Sequence, residues 1–212
     1  MADTPDRQRF PWAPDANFRR RVPDGDTHER LICDDCGYIA FENPKIVVGS
    51  VALWEDRILL AKRAIHPRKG YWTLPAGFME MKESTEQGAA REAMEEACAR
   101  IEIDALLAMY SIPRIGQVQI MYRARLLSPD VAPGEESTEV GLFRWEEIPW
   151  NELAFPTVTW ALRDWHASRA LTVFAPYSTP VDYPGAGPRG GGRSYPPPAA
   201  PEPHRPPRHA HP

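Results

Sequence analysis

Cysteine is scarce in this chain. Cys33, Cys36 and Cys98 are an odd set without the spacing of a disulfide framework, which excludes a small stapled scaffold and favours a reducing compartment, the cytoplasm. Long apolar runs are missing too. The longest, Ile46 to Trp54, is too short to cross a bilayer, and the opening MADTPDRQRFPW lacks the apolar centre of a secretory leader, so no membrane partner is expected. Nor is there a positive excess: Lys plus Arg number 25 against 29 Asp plus Glu, for a formal charge of -4. That balance gives no general drive toward nucleic acid or anionic lipid, though it leaves room for a local basic cleft. No internal repeat is visible.

What is present divides into three parts. Residues 1–43 are polar and irregular, with a short ribbon-like hairpin in ICDDCGYIAFENP around a CxxCG turn. Residues 44–175 carry strand and helix patterns. Lys45–Trp54 and Arg57–Lys62 read as a hairpin joined at Glu55-Asp56. Tyr71–Leu74 is a short strand stopped by Pro75-Ala76-Gly77. A helix starts at Ser84 or Thr85 and runs through STEQGAAREAMEEACAR, with Ala89, Ala90, Ala93, Met94 and Ala97 as a small-residue face. Ile101–Ser111, Gln117–Leu127 and Leu142–Trp145 follow as strands. Pro156 breaks the chain, and Val158–Leu171 forms a last amphipathic helix carrying Trp160, Leu162 and Trp165. Residues 176–212 hold half of the prolines and a GAGPRGGGR stretch, a composition that predicts a disordered tail.

One segment, Gly77 to Glu96, carries chemistry. Glu92, Glu95 and Glu96 stand at i, i+3 and i+4, which puts three carboxylates on one helical face. Like charges at that spacing repel, and a hard divalent cation with oxygen ligands offsets the repulsion. Three such glutamates alone would be an ordinary solvated face. Their company changes the reading: Gly77 allows a tight loop and a close carbonyl, Glu83 lies earlier, and Arg91 can hold a carboxylate as a rigid fork.

Gly77, Glu83, Arg91, Glu92, Glu95 and Glu96 together resemble the Nudix box, G-x5-E-x7-R-E-U-x-E-E-x-G-U, in which U is a bulky aliphatic residue. Ala93, Cys98 and Ala99 depart from it, and Cys98 stands where a left-handed glycine is usual. Residues 23 to 172 resemble a Nudix subfamily that includes bacterial proteins with an N-terminal zinc ribbon and plant enzymes acting on ADP-ribose and FAD. The resemblance implies an α/β/α sandwich around a mixed β-sheet. It also implies a metal-dependent pyrophosphatase that cuts a nucleoside diphosphate joined to another moiety, such as ADP-ribose or FAD. Mg²⁺ or Mn²⁺ would be held by Glu92, Glu95, Glu96 and the Gly77 carbonyl, with Glu139 as a later acidic ligand. Glu83 and Arg91 join Glu95 and Glu96 in the catalytic group, with the general base left open. Arg63, Arg68 and Lys69 are candidates for phosphate contacts. Trp72 is a candidate base-stacking ring or a core residue, and Arg114 and Gln117 are further substrate candidates. Zinc is not expected: of the four ribbon ligands only Cys33 and Cys36 remain, the other pair falling on Pro11 and Pro14. Cys98 is expected to be buried. Two other functions would use the same box, a non-catalytic nucleotide-ligand sensor and a hydrolase of the NAD cap on RNA. The acidic set argues against the first, and the lack of a basic channel and of an SQPWPFPxS array argues against nucleic acid or NADH as partner. A homodimer is the expected assembly.

Overall fold

The computed structural model describes residues 8–10, 13–181 and 183, with side chains from residue 17 onward. The predicted tail beyond 183, and Pro11, lie outside the described residues. The chain divides between Pro44 and Lys45 into two compact units.

The N-terminal unit is more regular than its composition predicts. Four strands, β1 (Gln8–Phe10), β2 (Ala13–Arg21), β3 (Arg30–Cys33) and β4 (Ile39–Ala40), pair antiparallel in sequence order. Phe18 lies opposite Cys33, and with Leu31 these residues form a small core. Ile32, between Leu31 and Cys33, is buried as well, so β3 is apolar on both faces and too short for a period-two pattern to reveal it as a strand. The CxxCG turn closes through Gly37 N–H to the Cys33 carbonyl, with Gly37 at φ 73°. Cys33 is buried and Cys36 exposed.

The second unit contains β5 (Lys45–Trp54), β6 (Arg57–Arg63), β7 (Trp72–Thr73), β8 (Ala76–Phe78), α1 (Thr85–Ala97), β9 (Ile101–Ile112), β10 (Gln117–Leu126), β11 (Ser137–Phe143), α2 (Pro156–Ser168) and β12 (Tyr177–Ser178). The main sheet runs β11-β6-β5-β10-β9-β12, with β7 on β6 and β8 on β5. It is mixed: β5 pairs parallel with β10, β12 pairs parallel with β9, and the other pairs are antiparallel. Alternation along the strands serves two layers. Val48 and Ala52 of β5 face α1, where they meet Ala89, Ala93 and Ala97 with Tyr122 and Ala124 of β10. Val51 and Met121 face the other way and pack with Val158, Ala161, Leu162 and Trp165 of α2. The result is the expected α/β/α sandwich. Met94 is 41% exposed, so the packed stripe of α1 is Ala89, Ala93 and Ala97, spaced by four.

Three element boundaries differ from the sequence expectation. β11 begins at Ser137 and ends at Phe143, while Trp145 opens a 3-10 turn. Its polar first half becomes a strand because β6 supplies the backbone partners. Pro156 starts α2 at its first turn instead of breaking the chain, and the helix stops at Ser168. Tyr177–Ser178 pairs with Ala108 and Met109 of β9, so sheet pairing continues past residue 175. Among the described residues, no helix is long and apolar enough to cross a membrane.

Candidate active site

The site is built where β8 leads through a loop into α1. The helix starts cleanly because Ser84 caps it: the Ser84 hydroxyl accepts from the Gln87 N–H at 3.2 Å, and the Gln87 side chain accepts from the Ser84 N–H at 2.8 Å. It ends through Cys98, which takes the left-handed conformation at φ 48°, while the Ala99 N–H reaches back to the Ala93 carbonyl at 3.1 Å. Cys98 is exposed, not buried as expected, since the left-handed residue lies beyond the packed face of the helix. Between these ends, Glu92 and Glu96 turn inward at 7% and 5% exposure. Glu95 lies outward, its side chain 57% exposed.

Arg91 organises the acidic residues. Its Nε and Nη2 grip both oxygens of Glu83 at 3.0 and 2.9 Å. Nη1 donates to Glu92 Oε1 and Glu95 Oε2, each at 2.8 Å, and Nη2 also donates to the Phe78 carbonyl at 3.0 Å. A planar fork with five N–H groups can serve so many acceptors, and a lysine cannot. Glu83 also accepts from the Glu80 N–H at 2.7 Å. Its carboxyl is held down to about 2, chiefly by the bonds from Arg91. Glu83 therefore stays ionised and anchors the fork.

Glu96 behaves in the opposite way. Its Oε2 accepts from the Ala76 N–H at 3.0 Å, yet burial pushes its carboxyl up to about 7, with the charge of Glu92 adding to the rise. Glu92 is also raised, again by burial first. Backbone closeness accounts for Gly77: a Cβ there would stand 2.4 Å from the Glu92 carboxylate atoms. Gly49, opposite Ala76, is packed as tightly, since its Cβ would meet the Ala76 Cβ at 2.4 Å. These two glycines let β5 and β8 bring backbone up to the carboxylates.

Each of Glu92, Glu95 and Glu96 spends one oxygen on Arg91 or Ala76 and keeps the other without a bonding partner among the described residues. Two buried carboxylates whose charged forms are disfavoured, with spare oxygens beside a glycine backbone, form an all-oxygen donor set that fits a hard divalent cation. Among the described residues, no group of three or more His, Cys, Asp or Glu side chains is arranged to hold a metal ion. Mg²⁺ usually takes one or two carboxylates and keeps several waters, so the donor set still suits it.

The other sequence candidates are placed unevenly. The Arg63 guanidinium lies 5.3 Å over the Phe155 ring, donates to the Pro67 carbonyl at 2.9 Å, and lowers Glu96 by its charge. Arg68 stacks on Tyr71 at 5.1 Å. Trp72 is a core residue, 8% exposed and edge-on to Phe143 at 4.9 Å, so the base-stacking option is corrected. Arg114 and Gln117 sit at the β9–β10 connection. Gln117 lies opposite Lys45, about 13 Å along β5 from Gly49. Among the described residues, Glu139 has no hydrogen bond to Glu92, Glu95 or Glu96. It lies opposite Lys62 and bonds its Nζ at 2.8 Å. The charge from this segment that acts on both Glu92 and Glu96 is that of Glu136, an exposed residue that nothing in the EESTE run singles out. A cleft of about 640 Å³ lined by Leu53, Asp56, Arg123, Trp145 and His166 includes none of these carboxylates.

With the geometry established, the likenesses to known proteins take on meaning. Residues 43–168 match the NUDIX domain family and residues 16–42 the Nudix N-terminal family. The second match contains Cys33 and Cys36 and begins after Pro14. A structure titled NUDIX hydrolase from Nitrosomonas europaea is similar at 46% identity and TM-score 0.76, over 81% of this chain and 98% of that one. An ADP-ribose pyrophosphatase of Methanocaldococcus jannaschii is 30% identical over 56% of this chain and 71% of its own length. An NAD-capped RNA hydrolase NudC of Salmonella schwarzengrund is 32% identical over 58% of this chain, and the match spans 48% of that protein.

Proposed function

The chain belongs to the Nudix hydrolase family, and from that premise we propose that it hydrolyses the pyrophosphate of a nucleoside diphosphate joined to another moiety, with ADP-ribose and FAD as the leading substrates. The observation that carries this reading is the convergence of buried Glu92 and Glu96 on the Ala76–Gly77 backbone under the Arg91 fork. A bound Mg²⁺ or Mn²⁺ would neutralise the substrate phosphates and lower the pKa of the attacking water. The spare oxygens of Glu92, Glu95 and Glu96 and the Gly77 carbonyl would hold it. Arg91 keeps the carboxylates in place, and Glu83 keeps Arg91 in place. Arg63 and Arg68, at the loop after β6, would meet phosphate oxygens, because guanidinium groups bind them bidentately. Water forms a new P–O bond, and the bridging P–O bond breaks, so ADP-ribose would give AMP and ribose 5-phosphate.

The similarity to the methanogen enzyme supports ADP-ribose. The likeness to NudC supports a second reading, hydrolysis of an NAD cap on RNA. We place the reaction in residues 44–175, with residues 1–43 as a ribbon that has lost one ligand pair and needs no zinc. The test is turnover of ADP-ribose, FAD, NADH and NAD-capped RNA by the full chain with Mg²⁺ or Mn²⁺, with the products identified. Release of AMP from ADP-ribose or FAD at the highest rate supports the proposal. Faster turnover of the capped RNA would replace it with the second reading. Tight binding without turnover of any of them would make the chain a sensor. Metal analysis that finds stoichiometric zinc would overturn the degenerate ribbon.

A further inference from the structure

The cleft of about 640 Å³ opens where the β5–β6 turn, the end of β11 and the C-terminal end of α2 meet. Its lining is aromatic. The Trp145 ring stacks on His166, with centroids 4.0 Å and planes 21° apart, and stands edge-on to Trp150 at 4.8 Å. Trp165 lies 6.1 Å from Trp145, and Leu53 and Leu171 continue the apolar surface.

The arginines of the lining are all engaged. Arg144 meets Asp56 at 3.3 Å. Arg123 bonds Asp104, and it donates to the Ser168 and Leu171 carbonyls at 3.2 and 2.9 Å. Arg169 donates to the His166 carbonyl. Burial lowers His166 below the usual imidazole range, so it adds little positive charge at neutral pH. Two carboxylates are left over. Glu55 and Glu146 are exposed and have no hydrogen-bond or ion-pair partner among the described residues. The uncompensated charge on this aromatic surface is therefore negative.

A segment of opposite character follows α2 in the chain. The last described residue, Tyr183, packs edge-on to Trp160 at 4.8 Å, and Trp160 is about 9 Å along α2 from His166. Residues 184–212 continue from there. They carry Arg189, Arg193, Arg205 and Arg208 against Glu202. The runs YPPP and PEP within them favour polyproline II, because proline fixes φ near that helix's value. Such a segment has little order left to lose, and aromatic-lined grooves are the surfaces that bind it. At about 3.1 Å per residue, Pro196 can stand up to about 40 Å from Tyr183, which exceeds the length of α2.

We propose that residues 195–208 of the same chain dock in this cleft, with the prolines on Trp145 and with Arg205 and Arg208 facing Glu146 and Glu55. The inference goes beyond the hydrolase reading and does not depend on it, since the cleft includes none of Glu92, Glu95 and Glu96.

The test is fluorescence anisotropy with a labelled peptide of residues 195–208, added to the full chain. Two forms are compared: the parent, and a tail variant carrying Pro197→Gly, Arg205→Glu and Arg208→Glu. The peptide is expected to bind the tail variant at least about tenfold more tightly than the parent, because the parent's own segment competes at a high effective concentration. Adding Glu146→Arg to the tail variant should weaken the peptide about tenfold, and a peptide with Arg205→Glu should recover part of that loss. Glu55→Lys provides a second exposed variant, and thermal melts check that each chain folds. Equal binding to parent and tail variant would overturn the proposal, as would no binding to either. Binding that neither Glu146→Arg nor Glu55→Lys alters would also overturn it, by placing the peptide elsewhere. Light scattering that shows the parent, but not the tail variant, self-associating would place the segment on a second copy and overturn docking within one chain.

Discussion

Arg91 and Glu96 show how a single side chain acquires a role. Arg91 is one arginine among helix-forming residues until its fork meets Glu83, Glu92, Glu95 and the Phe78 carbonyl together. Glu96 is one glutamate of a pair until burial raises its carboxyl to about 7. Glu96→Gln removes the charge and keeps the shape. It is expected to lower turnover of ADP-ribose with Mg²⁺ by about two to three orders of magnitude, with the melting temperature unchanged or higher, because a buried charge without its cation is unfavourable. Near-parental turnover, measured by AMP release, would remove Glu96 from the site. Trp72 makes the contrasting case. Its ring is packed against Phe143 in the core, so Trp72→Ala should cost about 3–5 kcal/mol of stability in urea denaturation. A large rise in KM with stability intact would restore the base-stacking role.

At the scale of elements, α1 was readable in the sequence because its determinants are local. The Ser84–Gln87 box, the absence of proline and the Gly77-to-Glu96 spacing all lie within one contiguous stretch. Its C-terminal end was less clear, since Cys98 replaces the expected glycine. The structure shows Cys98 in the left-handed conformation, where a β-carbon is strained. Cys98→Gly is expected to stabilise the protein by about 1 kcal/mol, from relief of that strain less the greater entropy of an unfolded glycine. Equal or lower stability in urea denaturation would show that Cys98 has contacts that offset the strain. Most of β11 was not visible in the sequence. Its first residues, Ser137 to Glu139, look like loop and become strand only beside Arg63 and Lys62. Which residue of β6 Glu139 meets depends on that register, and the acidic run by itself does not give it.

Across the whole catalytic unit, the two faces of the sheet carry different polar chemistry. The α1 face holds the carboxylate site. The α2 face buries Asp164, which is 0% exposed, accepts from the Tyr110 hydroxyl at 2.5 Å and leaves Oδ1 without a partner. Burial raises Asp164 to about 7. A carboxyl whose folded pKa lies above its unfolded value of 3.8 favours the folded state while protonated. Its contribution is therefore full below about pH 4 and is lost as pH climbs to about 7. Asp164→Asn cannot ionise, so its urea stability should vary less with pH across that window and exceed the parent's near pH 7. A parallel pH dependence in both proteins would mean that Asp164 is not the titrating group. Local order was within reach of the linear chain. The helix that carries the box and the alternation of the strands follow from short-range periodicity and backbone preference, and the resemblance of the box residues to the Nudix pattern implied the family and the sandwich. Which residues face each other across strands and layers was not within reach. Trp72 in the core, Glu139 on Lys62 and Asp164 under Tyr110 are consequences of long-range packing and register. A one-residue change of register moves a side chain to the opposite face, and no local pattern in an acidic or aromatic run carries that information.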